Sequence, residues 1–221
     1  MSVALAILWK DLVIEWRSRD RAVAMAVFAF LVVIVLHFAL PVGRPDELRR
    51  LAPGLLWIAY VFAAILGLNR AFALELENEA LSGLALVPVD RGFVFLGKAA
   101  ANFVILGAVQ AATALVFALA FAVDLRAVAA RLALVVALGS LGLCSIGTLF
   151  SAVSVRTRYR EVMLPLLLLP LLVPVLLGAV EASVSLVESG ALPRRPLQLL
   201  GVTDAVFLIV SFVGFEFVLD E

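Results

Sequence analysis

Six long apolar runs divide the chain: Ala22–Val42, Leu51–Ala71, Ala99–Val123, Val128–Val153, Val162–Glu181 and Leu197–Leu219. Each has about the 20 residues a helix needs to cross ~30 Å of hydrocarbon. The connections are short and polar: GRPDELRR, the segment 72–98, DLRA, SVRTRYRE and EASVSLVESGALPRRP. The pattern predicts an all-α integral membrane protein. It has six transmembrane helices in one domain, 1–221, and no connection long enough to fold as a soluble unit.

The first 21 residues follow a different rule. Leu5, Leu8, Trp9, Leu12 and Trp16 share one helical face, with Lys10, Asp11, Arg17 and Ser18 on the other. Ile7 and Ile14 fall off this pattern. Such spacing predicts a helix over 1–21 lying in the headgroup plane, anchored by its two tryptophans. It is either an elbow framing the bundle or a plain anchor. The run that follows is long enough to span, so a cleaved signal is not expected.

Composition agrees with lipid as the solvent. The chain is 65% hydrophobic and 15% charged, against about 45–50% and ~25% for a soluble domain. A net charge of zero disfavours nucleic acid as a partner. The one cysteine, Cys144, rules out an internal disulfide framework and a cysteine-based zinc cluster. No metal site is expected. Counting Lys and Arg in short loops with the N-terminus inside puts Lys10, Arg17, Arg19, Arg21, Arg70, Arg91, Lys98, Arg156, Arg158 and Arg160 in the cytoplasm. Arg44, Arg49, Arg50, Arg126, Arg131, Arg194 and Arg195 fall outside. The excess places both termini in the cytoplasm.

Two features of segment 72–98 carry candidate chemistry. Its end, Gly92 through Gly97-Lys98-Ala99, approaches a phosphate-binding loop. However, Ala99 removes the hydroxyl that would hold magnesium, and the interior Phe-Val-Phe-Leu wants lipid or a core. Lys98 therefore reads as a snorkelling residue at the edge of the third span, and nucleotide hydrolysis is expected in another chain. The rest is acidic. As a helix ended by Pro88, it sets Glu75, Glu79 and Ser82 on one face, with Leu74, Leu81, Leu84 and Ala85 opposite and Glu77 nearer the apolar side. Anionic lipid repels such a face, so either a protein surface receives it or it is a solvated, frayed loop.

Within the spans, Ser140, Cys144, Thr148 and Ala152 recur every four residues beside Gly147 and Ser151, with Gly107 and Ala111 in the third span. Small stripes let helices approach closely, for packing inside the bundle or as a dimer contact. Pro165, Pro170 and Pro174 interrupt the fifth span's hydrogen-bond ladder, giving a static kink or a mobile element. Asn102 and Gln110 are expected to bond between helices. Asp204 must face protein or water, with Arg194 and Arg195 as candidate partners. His37 is the only histidine, an interfacial side chain or a heme ligand. Met25, Met163 and Cys144 are weaker ligand candidates. No HExxH, no GxSxG and no paired acids within a span point to an intramembrane enzyme, so a non-catalytic subunit is expected.

Three stretches in register carry a resemblance: Ala52-Pro53-Gly54-Leu55-Leu56-Trp57, the acidic segment leading through Leu86-Val87-Pro88 to Lys98, and Leu169-Pro170-Leu171-Leu172-Val173-Pro174. In that order the chain resembles the CcmB-type heme exporter proteins over nearly its whole length. Glu79 stands where the family often has glycine, and Ser82 where it has a second acid. The resemblance implies an ABC-2-like permease subunit of the bacterial inner membrane, acting in heme export for cytochrome c biogenesis. A CcmA-like ATPase would dock on 72–90, through Glu75, Glu77, Glu79, Leu81, Ser82 and Leu84. It also implies a CcmC-like heme-handling membrane protein, a small CcmD-like subunit, a periplasmic heme chaperone and a second copy of this chain. Heme is then a substrate rather than a resident cofactor, and ATP is used by the partner. The alternative is a non-transporting scaffold that ties the ATPase to the heme-handling protein.

Overall fold

Inside hydrocarbon a backbone must satisfy its own hydrogen bonds, so each apolar run closes into a helix. The computed structural model describes residues 3–40, 45–72, 90–121, 128–155, 157 and 159–218. The helices are α1 (Val3–Ser18), α2 (Asp20–Ala39), α3 (Pro45–Asn69), α4 (Arg91–Ala120), α5 (Ala129–Val155), α6 (Arg160–Ser189) and α7 (Arg194–Val218). Six of them, α2 to α7, are long and apolar enough to span a membrane. The acidic stretch with Glu75, Glu77, Glu79, Leu81, Ser82 and Leu84 lies outside the described residues.

Two spans form the centre. In α3 and α5 two-thirds of the apolar window is buried, while α2 and α7 keep most of theirs outward. The α5 helix touches α3, α4, α6 and α7, and α3 touches α2, α4, α5 and α6. In α6 the buried apolar side chains are Leu164, Leu168, Leu172, Val175, Ala179, Ala182 and Leu186, all fully enclosed. Their spacing of three or four is the repeat of knobs packed into neighbouring helices. The three prolines fall off this stripe, with Pro170 exposed, and α6 runs on through all of them. Each proline removes one ladder bond; the enclosed leucine side holds the helix across the gaps.

Several boundaries differ from the hydropathy pattern, for local reasons. The α4 helix starts at Arg91 rather than Ala99, because the Asp90 carboxylate accepts the Gly92 N–H at 2.8 Å and caps it. The α6 helix continues past Glu181 to Ser189, where Gly190 in the left-handed region (φ 68°) stops it. Between α1 and α2 the chain turns on Arg19, also left-handed at φ 58°. There the Glu15 carboxylate accepts the Ala22 N–H at 2.8 Å and caps α2 from the preceding helix.

Gly92 and Gly97, the glycines of the near-miss phosphate loop, therefore lie on helical backbone. A Cβ on Gly92 would fall 2.4 Å from the Phe212 ring, and one on Gly97 2.7 Å from the Ala4 carbonyl oxygen. They are contact points for α7 and α1, and α1 lies along α4 because Gly97 leaves room for it.

Gly97→Leu is expected to cost about 1–3 kcal/mol through forced separation of α1 and α4. Gly107→Ala, where a Cβ meets nothing within 4 Å, should gain about 0.5–1 kcal/mol. Thermal unfolding of the two variants in detergent checks the contrast. Gly190→Ala should cost about 1 kcal/mol by the same measurement, since an alanine must occupy a left-handed backbone.

Candidate functional site

On α1, Asp11 and Glu15 are one turn apart and share a face, as do Lys98 and Asn102 on α4. The fold sets these two edges against each other. The Lys98 ammonium lies 2.9 Å from Asp11 with its side chain 2% exposed. It also donates to the Ala71 carbonyl at 3.3 Å and sits 5.0 Å from the Phe72 ring centroid. Asp11 further pairs with Lys10 at 3.1 Å. Stripping two ions of water costs several kcal/mol each, recovered only when partners are close and complete; here a carboxylate, a carbonyl and an aromatic face supply them. Lys98 is thus a buried junction of α1, α4 and the end of α3. The expected snorkelling at a membrane edge is not what it does, because α4 begins two turns earlier.

One turn further along α4, the polar contacts continue. Arg21 pairs with Glu15 at 3.1 Å and donates to the Asn102 side-chain oxygen at 2.8 Å. The Asn102 amide nitrogen donates to the Thr148 hydroxyl at 2.9 Å. A chain of charge and hydrogen bonds therefore runs from α1 through α2 and α4 to the small-residue stripe of α5. Beside it lies a small crevice whose lining includes Arg21, Met25, Gly67, Leu68, Asn102 and Cys144.

The side of α1 turned toward the bundle is mixed rather than purely apolar. Ile7, which breaks the apolar periodicity, is the buried residue, and Asp11 points inward to Lys98. Leu5, Trp9 and Trp16 face outward and are more than half exposed. The Arg19 guanidinium lies 5.3 Å from the Trp16 ring.

The other polar residues of the spans divide into bonded and unbonded sets. Ser140 donates to the Gln110 side-chain oxygen at 2.8 Å, and the Tyr60 hydroxyl to the Gln110 carbonyl at 3.1 Å. The Trp57 indole donates to Ser183 at 3.1 Å. Ser140, Cys144, Gly147 and Thr148 are all buried within the single chain, so this face is used for internal packing. Asp204 is 4% exposed, beside Gly142, and among the described residues neither carboxylate oxygen has a hydrogen-bond partner. Within this chain Asp204 does not pair with Arg194 or Arg195: both arginines are exposed at the start of α7, about 15 Å away along the helix axis.

His37 occupies the last turn of α2. Its ring stands edge-on to Phe38 and Phe121, at 5.5 and 5.3 Å between centroids, and among the described residues its Nδ1 has no hydrogen-bond partner. Met25 packs against Gly67, Cys144 is buried in α5, and Met163 is half-buried on α6. Among the described residues no group of three or more His, Cys, Asp or Glu side chains is placed to hold a metal.

Sequence reasoning missed the pairs Asp11–Lys98 and Glu15–Arg21, and the bonds of Tyr60 and Trp57. The signal for the pairs was present as two acids one turn apart, opposite a lone lysine inside an otherwise apolar run.

The CcmB protein family model matches residues 2–218. Heme exporter protein B of Rhodobacter capsulatus is 32% identical over 187 residues, covering 84% of this chain and 85% of that protein. The protein of the same name from Paracoccus denitrificans is 33% identical over 206 residues, covering 92% and 90%. That from Pseudomonas aeruginosa is 31% identical over 188 residues, covering 83% and 82%. With six membrane-length helices and matches spanning almost the whole sequence, this multi-pass membrane protein belongs to the CcmB family.

Proposed function

We propose that this chain is the membrane permease subunit of an ABC-type complex that exports or delivers heme for c-type cytochrome maturation. It sits in the bacterial inner membrane with both termini in the cytoplasm. A separate CcmA-like ATPase docks on residues 72–90, and CcmC-like and CcmD-like subunits complete the assembly, with two permease copies. The observation that carries this reading is the family match over 2–218, together with relatives named heme exporter protein B. The helical course of Gly92–Lys98 supports it from another side. A phosphate cradle needs backbone N–H groups pointing at the ligand; here those groups lie within a helix, so hydrolysis belongs to another chain. The acidic stretch between α3 and α4 is the handle for that chain, because its charge suits a basic protein surface better than anionic lipid.

Replacing Glu75 and Glu79 together with lysine is expected to cut ATPase co-purification at least about tenfold, the effect of roughly 1.4 kcal/mol, while the six spans still insert. Recovery of the ATPase in wild-type amounts overturns the docking assignment. In sealed vesicles holding this chain and the ATPase, ATP is expected to drive heme across the bilayer. Heme that stays put while the ATPase remains bound favours the scaffold instead.

A further inference from the structure

Lys98 touches three parts of the chain at once. Its ammonium meets Asp11 of α1 at 2.9 Å and the Ala71 carbonyl at 3.3 Å, and it lies over the Phe72 ring, where the backbone leaves α3. Phe72 in turn contacts Phe215 of α7, which also contacts Phe95 one turn before Lys98. A second fastening follows through Glu15, Arg21 and Asn102. On α1 the carboxylates of Asp11 and Glu15 are both turned inward, while its tryptophans are exposed. A helix held only by lipid has no reason to bury two carboxylates against the bundle, because the headgroup region would hydrate them at lower cost.

We propose that Lys98 is a positioning residue that couples α1 to the end of α3, so that α1 moves with the bundle as a working part of the transporter rather than floating as a lipid anchor. Displacement at the α3–α4 connection is carried to α1 by the Asp11–Lys98 pair, and to α5 by the Arg21, Asn102 and Thr148 contacts. The buried Phe72 ring covers the Lys98 ammonium. Loss of the Asp11 charge therefore removes a close anionic partner from the buried Lys98 ammonium, and loss of Lys98 leaves Asp11 with the more exposed Lys10. This coupling rests on the docking of an ATPase as proposed above; the clamp itself does not.

Two measurements separate these parts. The first uses the chain alone in vesicles, with Cys144 replaced by serine and Ile7 by cysteine. The clamp predicts slow labelling of that cysteine by a thiol reagent, about tenfold faster once Lys98→Met or Asp11→Asn is added. Equal labelling with and without the pair overturns the clamp. The second uses the complex with its ATPase. Lys98→Glu and Asp11→Lys are each expected to keep the ATPase bound but to lose at least about tenfold in transport per ATP hydrolysed, with the double exchange restoring most of it. A single variant that stays bound and fully coupled overturns the coupling role. If either single variant fails to fold, the labelling result with Asp11→Asn decides. Failure of the wild-type chain to bind the ATPase overturns the docking reading and leaves the clamp to be judged by labelling.

Discussion

An ammonium group cannot stay charged in a dry, low-dielectric place without close partners, and that constraint organises one end of this molecule. Lys98 is enclosed by α1, α4 and the exit of α3, with Asp11, the Ala71 carbonyl and the Phe72 ring around it. Much else follows from meeting that need. Because Asp11 must reach Lys98, α1 must lie on α4. For α1 to lie on α4, position 97 must lack a side chain. Once α1 is there, Glu15 can cap α2 and hold Arg21, and Arg19 must make the sharp left-handed turn between the two helices.

Deeper in the spans the adhesive is different. Lipid tails are as apolar as leucine, so burial of apolar surface against lipid gives helices little reason to associate. What holds α3 and α5 at the centre is close approach through small residues, supplemented by hydrogen bonds. Trp57 reaches α6 at Ser183, Tyr60 reaches the α4 backbone, and Gln110 receives Ser140 from α5. Such bonds are individually modest, about 0.6–2 kcal/mol, but they have a direction and so fix which helix faces which. Asp204 stands apart, enclosed beside Gly142 with no hydrogen-bond partner for its carboxylate among the described residues.

The G-x-x-x-x-G-K run shows how far a short motif depends on its surroundings. In a loop following a strand its glycines would bring backbone amides to a phosphate. Here the same letters continue a helix capped by Asp90, and each glycine admits a neighbouring helix. The lysine that would have met a phosphate meets a carboxylate instead. Both environments satisfy one positive charge, and the residue letters do not distinguish them.

What the sequence determined by itself is what short-range physics controls. Apolar runs of membrane length specified six spanning helices, the small stripe of α5 marked a close-packed face, and the order of short motifs pointed to the family. At the start of α4 and the end of α6 the apolar runs stop short of the true helices, whose Asp90 and Gly190 caps lie in polar sequence. Tertiary structure alone decided which way α1 faces, because Ile7 and Asp11 turn inward only when α4 offers a groove at Gly97 and a charge at Lys98. It likewise decided that Arg194 and Arg195 stay outside while Asp204 is enclosed, and that Arg21 meets Asn102 across 81 positions of sequence. Hydropathy and periodicity are properties of neighbours along a chain. Ion pairs and close contacts are properties of neighbours in space, and only packing brings those together.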